Sequence, residues 1–128
     1  MRDMDRLEAH AFGMTPEKAL RHGMKSSVWS LTALVDDEPH AMMGVAPVNM
    51  IEGIGVPWML GSERIYHHAR DLARYGPGII AEMRGSFERL ENVVHIGNHR
   101  ALRFLRHFGW TISEQPETIG GVEFVRFS

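Results

Sequence analysis

The stretch VVHIGNHRALRFLRHFGW, residues 93–110, decides the fold class of this chain. Its first four residues are mostly β-branched, which favours a strand. Asn98 then precedes a segment with apolar residues at helical spacing, and an Asn in that place can cap the first turn of a helix. Gly109 follows the segment, and glycine commonly ends helices. The stretch therefore predicts a strand, a tight turn and a helix; the apolar helical positions are Ala101, Phe104, Leu105 and Phe108.

A hairpin and a third strand are predicted upstream of this unit. Val28–Val35 alternates in polarity, residues 36–39 are polar turn residues, and His40–Val48 is a second apolar run. The third strand, Ile54–Leu60, contains Pro57, which cannot donate to a ladder and indicates an edge or a bulge. Hairpins followed by one strand–helix–strand crossover predict an α/β fold with a mixed sheet that contains one parallel pair.

Helices are predicted before the hairpin and after the third strand. The apolar stripe of Met4, Leu7 and Ala11 favours a first short helix, and Thr15-Pro16 has the form of a second helix start. A longer helix is expected from Ser62 to about Tyr75, where Gly76-Pro77-Gly78 should break or kink it before a further helical stretch. The remaining predictions are two closing strands, residues 110–113 and 122–127.

The bulk composition is that of a single globular domain, which we place at residues 1–128. A net charge of −2 gives no general attraction to nucleic acid or to anionic membranes. The chain has no cysteine, which excludes disulfides and thiolate chemistry. No apolar run approaches the roughly 20 residues of a membrane span, and the charged N-terminus lacks a signal-peptide core. These features predict a cytoplasmic protein without membrane partners.

Residues 93–110 resemble the second conserved block of the GNAT family of acyl-CoA N-acyltransferases, in which a strand and an Asn lead into a helix that ends in Gly and an aromatic residue. A closer resemblance, to the GNAT-like internal virion proteins of T7-like phages and prophages, extends over most of the chain. It is carried by residues 58–62, the long helix, and Ile96-Gly97-Asn98, Arg103-Phe104-Leu105 and Gly109. The resemblance implies a GNAT fold that lacks the family's first N-terminal strand.

The resemblance also implies a cofactor site. GNAT enzymes hold acetyl-CoA in a wedge between two strands, which here would end at Leu60 and Ile96, and the pyrophosphate lies at the start of the next helix. A helix N-terminus suits an anion because its backbone N–H groups are unpaired. The residues predicted to contact acetyl-CoA are Leu60, Gly61, Ser62, Arg64 and Asn98. For Asn98, capping of the following helix is an equally physical alternative.

Two catalytic positions follow from the same resemblance. The family often has a Tyr seven residues after the motif Asn as general acid; the residue here is Leu105, which cannot donate a proton and fits a core role. Glu52, just before the third strand, is the candidate general base, with a plain loop glutamate as its alternative. No metal is predicted, because the spacing of His67 and His68, and of His95 and His99, does not form a chelating set.

Three functions remain open on this evidence. The first is a non-catalytic or vestigial acyltransferase-like component of virion assembly, which would bind virion proteins and occur in the virion or in the host cytoplasm. The second is an active N-acetyltransferase that moves an acetyl group from acetyl-CoA to a primary amine. The third is a small nucleic-acid-binding module that uses the basic face of Arg100, Arg103 and Arg106, for which a solvated helix face is the simpler explanation.

Overall fold

Four helices and seven strands make up the computed structural model, which describes residues 2–49 and 51–128. The mixed sheet and its helices confirm the predicted α/β class. Within the described residues no strand precedes the first helix. The elements are α1 (Asp3–Ala11), α2 (Pro16–Ser26), β1 (Trp29–Val35), β2 (Glu38–Asn49), β3 (Ile54–Gly61), a 3-10 helix (Glu63–His67), α3 (Ala69–Ser86), β4 (Arg89–Leu90), β5 (Asn92–His95), α4 (His99–His107), β6 (Ile112–Ile119) and β7 (Val122–Phe127).

The predicted hairpin is confirmed as β1 and β2, which pair antiparallel across a two-residue turn. Asp36 and Asp37 form that turn with φ angles of 52° and 64°. Tight hairpin turns need positive φ at both central residues, and Asp tolerates it better than most side chains. The Asp-Asp pair therefore sets the register of the hairpin, and β1 forms an edge of the sheet.

The strands form two sheets that meet between β3 and β5. One sheet has the order β1-β2-β3-β4, and the other has the order β5-β7-β6. One parallel pair was predicted, and we expected it between the third strand, Ile54–Leu60, and the strand after the long helix, Asn92–Ile96. The pair is made instead by Arg89–Leu90, which lies beside Ile54 and Gly55. The next strand, β5, does not continue the ladder with β3; it pairs antiparallel with β7. The predicted crossover is thus present, but its parallel contact is short and lies closer to α3.

Helices cover both faces of the sheets. On one side α2 packs closely against β3. Gly23 makes this possible, since a Cβ at this position would lie 2.8 Å from the Trp58 ring. On the other side α3 and α4 share a core with the strands. That core contains the buried residues Val45, Met83, Phe87, Leu90, Val94, Leu102, Leu105, Trp110 and Phe127.

The long helix differs at both ends from the helix that was predicted from Ser62 to about Tyr75. It begins at Ala69 rather than after Ser62, because a 3-10 helix comes first, and it continues through Pro77 to Ser86. The glycine before Pro77 explains part of this continuity. A Cβ on Gly76 would lie 3.0 Å from the Phe108 ring, so α4 packs against α3 at the point where a break was expected. Tertiary packing therefore outweighs the local breaking signal.

Candidate functional site at the β3–β5 wedge

The wedge begins at Pro57, where the parallel ladder stops. The amides of Arg89 and Glu91 donate to the carbonyls of Gly53 and Gly55, each at 3.0 Å. The next carbonyl on that side, of Pro57, accepts a 2.8 Å hydrogen bond from the Asn92 side chain instead of from a backbone amide. Proline has no N–H to return, so the ladder cannot continue. Beyond Pro57 the two strands separate.

The backbone of β3 beyond Pro57 faces this wedge at every second residue. The carbonyls of Gly53, Gly55 and Pro57 point toward β4 and β5 and accept hydrogen bonds from them. The Ser62 amide points the opposite way and donates to the His40 carbonyl at 2.7 Å. The alternation of a strand therefore aims the backbone groups of Met59 and Gly61 into the wedge. These are the groups that an acyl-CoA between the strands would meet.

Helix α1 bridges the open end of the wedge. The Gly61 amide donates to Asp5 Oδ2 at 2.9 Å, and the Gly61 carbonyl accepts from the Arg2 amide at 2.6 Å. Arg2 and Asp5 are each 5% exposed and form an ion pair at 3.4 Å. The chain's own first helix thus occupies the backbone donor and acceptor of Gly61. A side-chain carboxylate therefore satisfies the amide of Gly61, one of the residues predicted to contact acetyl-CoA.

Asn98 ties the other side of the wedge to the same helix. Its Oδ1 accepts from the Ala101 amide at 3.3 Å and from Arg2 Nη2 at 3.0 Å, and its Nδ2 donates to Glu8 Oε1 at 2.7 Å. The first of these bonds confirms the helix-cap interpretation of Asn98. The other two show why the side chain is 3% exposed. A contact of Asn98 with acetyl-CoA stays a prediction.

The carboxyl group of Glu8 is strongly perturbed by its surroundings. The pKa of Glu8 is raised from 4.5 to about 7. Burial is the main cause and the nearby Asp5 carboxyl adds to it, while the hydrogen bonds from Asn98 and the His95 backbone and the charge of Arg2 oppose it. A carboxyl group in such an environment changes its charge near neutral pH. Glu8 could therefore exchange a proton with a bound molecule, which makes it a stronger acid–base candidate than any residue predicted from the sequence.

The other predicted residues are dispersed around the end of β3. Gly61 is needed for packing, since a Cβ there would lie 2.8 Å from the His40 carbonyl oxygen. The Ser62 hydroxyl does not cap a helix; it lies 2.8 Å from His40 Nδ1. Arg64 is exposed on the 3-10 helix, and Leu60 is half-buried in β3. The α-helix whose N-terminus was expected to hold the pyrophosphate does not begin here. It begins further along the chain, at Ala69.

Glu52 lies apart from these residues. It is exposed in the turn before β3, at the end of the strand opposite Gly61. The eight residues of β3, at about 3.3 Å each, separate them by roughly 25 Å. Its role as a general base stays a prediction. Leu105, which occupies the family's general-acid position, is buried in the core as expected.

The acidic residues of α1 were missed by the sequence analysis. The stripe of Met4, Leu7 and Ala11 correctly predicted a helix, but Leu7 is 41% exposed while Asp5 and Ala9 are buried. Arg2, Asp5 and Glu8 recur every three residues, a spacing that places them along one helix face. That charged repeat was the available signal, although most such repeats face solvent.

A cavity of about 500 Å³ remains between α1, α2 and the wedge. Its walls include Glu8 and Asn98 as well as Trp58 and Leu105. Within the part of the chain that the structure describes, no group of three or more His, Asp or Glu residues is arranged to hold a metal ion. None of the described helices is long and apolar enough to cross a membrane.

Replacing Asn98 tests these links against a simple cap. We expect Asn98→Ala to lower the free energy of unfolding by about 2 kcal/mol, since caps contribute up to that much and two buried partners also lose a bond. Thr15→Ala is the matched control because Thr15 caps α2 by accepting from the Lys18 amide alone. It should lose about 1 kcal/mol in urea denaturation. Equal losses for the two variants would mean that the bonds to Arg2 and Glu8 contribute nothing.

The fold matches solved acetyltransferase structures, whereas no family model and no curated protein matches the chain by sequence. An acetyltransferase of the GNAT family from Streptococcus pneumoniae is 15% identical, with a TM-score of 0.61 over 90% of this chain and 76% of that one. Ard1 from Thermoplasma volcanium is 9% identical, with a TM-score of 0.65 over 98% of this chain and 86% of that one. These likenesses show the GNAT acetyltransferase fold.

A third similar structure carries a ligand. It is a GNAT-family acetyltransferase from Elizabethkingia anophelis with acetyl-CoA bound. It is 10% identical, with a TM-score of 0.61, and the match covers 87% of this chain and 80% of that one. At this level of identity the match shows the fold alone.

Proposed function

We propose that this GNAT-fold chain is a non-catalytic or vestigial acyltransferase-like protein whose first helix closes the acyl-CoA wedge. The observation that carries the proposal is the pair of bonds between α1 and Gly61, in which Asp5 and Arg2 take the backbone donor and acceptor at the wedge mouth. Leu105 supports it, because a leucine at the general-acid position cannot protonate a departing thiolate.

The biological role that we propose is a component of virion assembly in a phage or prophage. Its support is the sequence resemblance carried by residues 58–62 and 96–109. The fold would serve there as a scaffold that binds other virion proteins, in the virion or in the cytoplasm of the bacterial host. Fold and function are separable in this way because function depends on sites and not on architecture.

An active N-acetyltransferase is the second candidate. It is favoured by the cavity of about 500 Å³ that opens onto Glu8, whose pKa of about 7 suits a general base for an amine. In this alternative acetyl-CoA would displace Arg2 and Asp5 from Gly61 and contact Asn98. The two candidate functions therefore make opposite predictions: the first predicts no acetyl-CoA binding, and the second predicts binding.

We expect 1 mM acetyl-CoA to leave the melting temperature unchanged and to give no saturable heat in calorimetry. A ligand present at a hundred times its Kd would add about 2.7 kcal/mol of stability, which raises the melting temperature by several degrees and is easily measured. The control is CoA without the acetyl group. Saturable binding together with acetylation of a simple primary amine would replace the first proposal with the second.

A further inference from the structure

Strand β1 forms an edge of the larger sheet and lacks the usual protection against pairing. Within the described residues only β2 pairs with it, so every second residue of β1 points its backbone N–H and C=O away from the sheet. Natural proteins protect such an edge with charged side chains, with proline or with a bulge. The sequence of Trp29–Val35, WSLTALV, contains no charged residue and no proline.

The irregularity in the β1–β2 ladder does not bend β1 away from a partner. The register of β2 steps from Ala41 to Pro39 there, so the extra residue is His40. A bulge bends the strand that contains the extra residue, which is β2. Strand β1 therefore keeps a continuous edge of seven residues.

The edge of the smaller sheet has the opposite character. Strand β6 is an edge strand of that sheet, and it carries Pro116 and Glu117, which are typical devices against pairing. Strand β1 carries exposed apolar side chains instead, since Leu31 and Leu34 are 46% and 61% exposed. An uncharged edge with exposed apolar side chains is the pattern that pairs with another strand.

The sequence of β1 is complementary to itself when two copies run antiparallel. A two-fold axis at Thr32, the central residue of the strand, places this residue opposite Thr32 of the second copy. The other pairs are then Leu31 with Ala33, Ser30 with Leu34, and Trp29 with Val35. Every pair joins apolar or hydroxyl side chains, and a pair of directly opposite threonines is favourable. No two like charges meet along the strand.

Charges beyond the two ends of β1 favour the same arrangement. Asp36 and Asp37 are exposed in the hairpin turn that follows the strand. Lys25 is exposed in the last turn of α2, shortly before the strand. Antiparallel pairing places the acidic turn of each copy near Lys25 of the other copy. Parallel pairing would bring the two acidic turns together, and such contacts between like charges are unfavourable.

We propose that β1 is a dimer interface, through which two copies of this chain pair antiparallel about Thr32 into one continuous sheet. The partner that the edge fits is thus the same strand of a second copy. A pairing of seven residues makes a small interface, so the dimer should exchange with monomer. This inference goes beyond the proposed function and does not depend on it, because β2 separates β1 from the β3–β5 wedge.

Sedimentation velocity measures the association. We expect the wild type to pass from monomer to dimer between about 5 µM and about 500 µM protein, as a small interface requires. Thr32→Lys would set two like charges opposite each other, and it should weaken the dimer by at least about tenfold. Ser113→Lys is the matched control, because Ser113 is exposed on the edge strand β6. Its dimerisation should stay within about twofold of the wild type. Circular dichroism checks that both variants are folded.

A single introduced cysteine measures the register, because the chain has no cysteine of its own. Directly opposite residues of an antiparallel pair have Cα atoms about 4.5–5.5 Å apart, a separation that a disulfide spans. Thr32→Cys should therefore form a covalent dimer on oxidation. Leu34→Cys is the control on the same strand: it would face Ser30, and its two copies would lie roughly 13 Å apart at about 3.3 Å per residue. It should form little covalent dimer.

Three results would overturn the proposal. A monomer at every concentration would leave the edge to a strand of a different protein. A dimer that a folded Thr32→Lys variant does not weaken would place the contact on another surface. Equal cross-linking of Thr32→Cys and Leu34→Cys would exclude the register about Thr32. The cysteine variants keep the proposal testable if Thr32→Lys does not fold, because both are small changes at exposed positions.

Discussion

Asp5→Ala is expected to lower the free energy of unfolding by about 3–5 kcal/mol, the usual loss when one partner of a buried ion pair is removed. Asp5 is 5% exposed, and its carboxylate contacts both the Arg2 guanidinium and the Gly61 amide. Alanine would leave a buried charge without this partner and a strand amide without its acceptor. Urea denaturation at pH 7 measures the loss.

Asp3→Ala is the control for this substitution. Asp3 lies in the same first turn of α1 but is exposed, so its removal affects only the interaction with the helix dipole, about 0.3–1 kcal/mol. If Asp5→Ala lost no more than Asp3→Ala, α1 would not be docked on the wedge in solution. The proposed closure of the acyl-CoA site would then have no basis.

Glu8→Gln is expected to stabilise the protein by up to about 3 kcal/mol at pH 8 and to change little below pH 4.5. The cause is burial, which raises the pKa of Glu8 to about 7 in the folded state from 4.5. Glutamine keeps an oxygen that can accept the bond from Asn98 Nδ2 but carries no charge at any pH. It therefore removes the desolvation cost of the carboxylate and little else.

The sign of the effect follows from proton binding. Between pH 4.5 and about 7 the folded state holds the Glu8 proton more tightly than the unfolded state does. The contribution of Glu8 to stability is therefore fully present below pH 4.5 and is lost as the pH rises through about 7. Wild type should lose stability relative to Glu8→Gln across this window.

Urea denaturation of both proteins at a series of pH values from 4.5 to 8 measures the effect, because the two proteins differ only at this carboxyl group. Glu114→Gln is the control: Glu114 is exposed on β6, and its substitution should shift stability by no more than about 0.5 kcal/mol at any pH. A pH-independent difference between wild type and Glu8→Gln would show that Glu8 is not buried against α4.

The two substitutions together describe how the wedge is held shut. Asp5 joins α1 to the end of β3, and Glu8 joins it to Asn98 at the start of α4. Asp5 is paired with Arg2, whereas Glu8 becomes costly to bury when it ionises, because its carboxylate is desolvated and lies near Asp5. Closure should thus be tightest in mild acid.

Much of the backbone was predictable because its signals are local. Asp36 and Asp37 tolerate the positive φ of a tight hairpin turn, Asn98 caps the next turn of helix, and Pro57 marks the place where a ladder stops. A helix does start after Ser62, as expected, but it is a 3-10 helix, and the Ser62 hydroxyl contacts the His40 side chain and does not cap it.

The candidate site was predictable only in part. Gly61 and Asn98 do lie at the two sides of the wedge mouth, as the family resemblance implied. The resemblance did not indicate that α1 would lie between them. A glycine at position 61 looked like a cofactor loop in the sequence, yet the close approach of the His40 carbonyl is a sufficient reason for it.

Local sequence signals were enough to predict the hairpin turn, the helix cap at Asn98 and most of the order of helices and strands, although the short strand Arg89–Leu90 was not predicted and Pro57 indicated only an edge or a bulge. These follow from side-chain periodicity, from capping and from proline, which act within a few residues. The tertiary structure alone decided that α1 fills the wedge mouth, because the bonds from Gly61 to Asp5 and from Asn98 to Glu8 join residues 56 and 90 positions apart. Charged residues at helical spacing give the same sequence pattern whether the helix face is exposed to water or buried against a backbone amide. The sequence alone therefore does not distinguish the two.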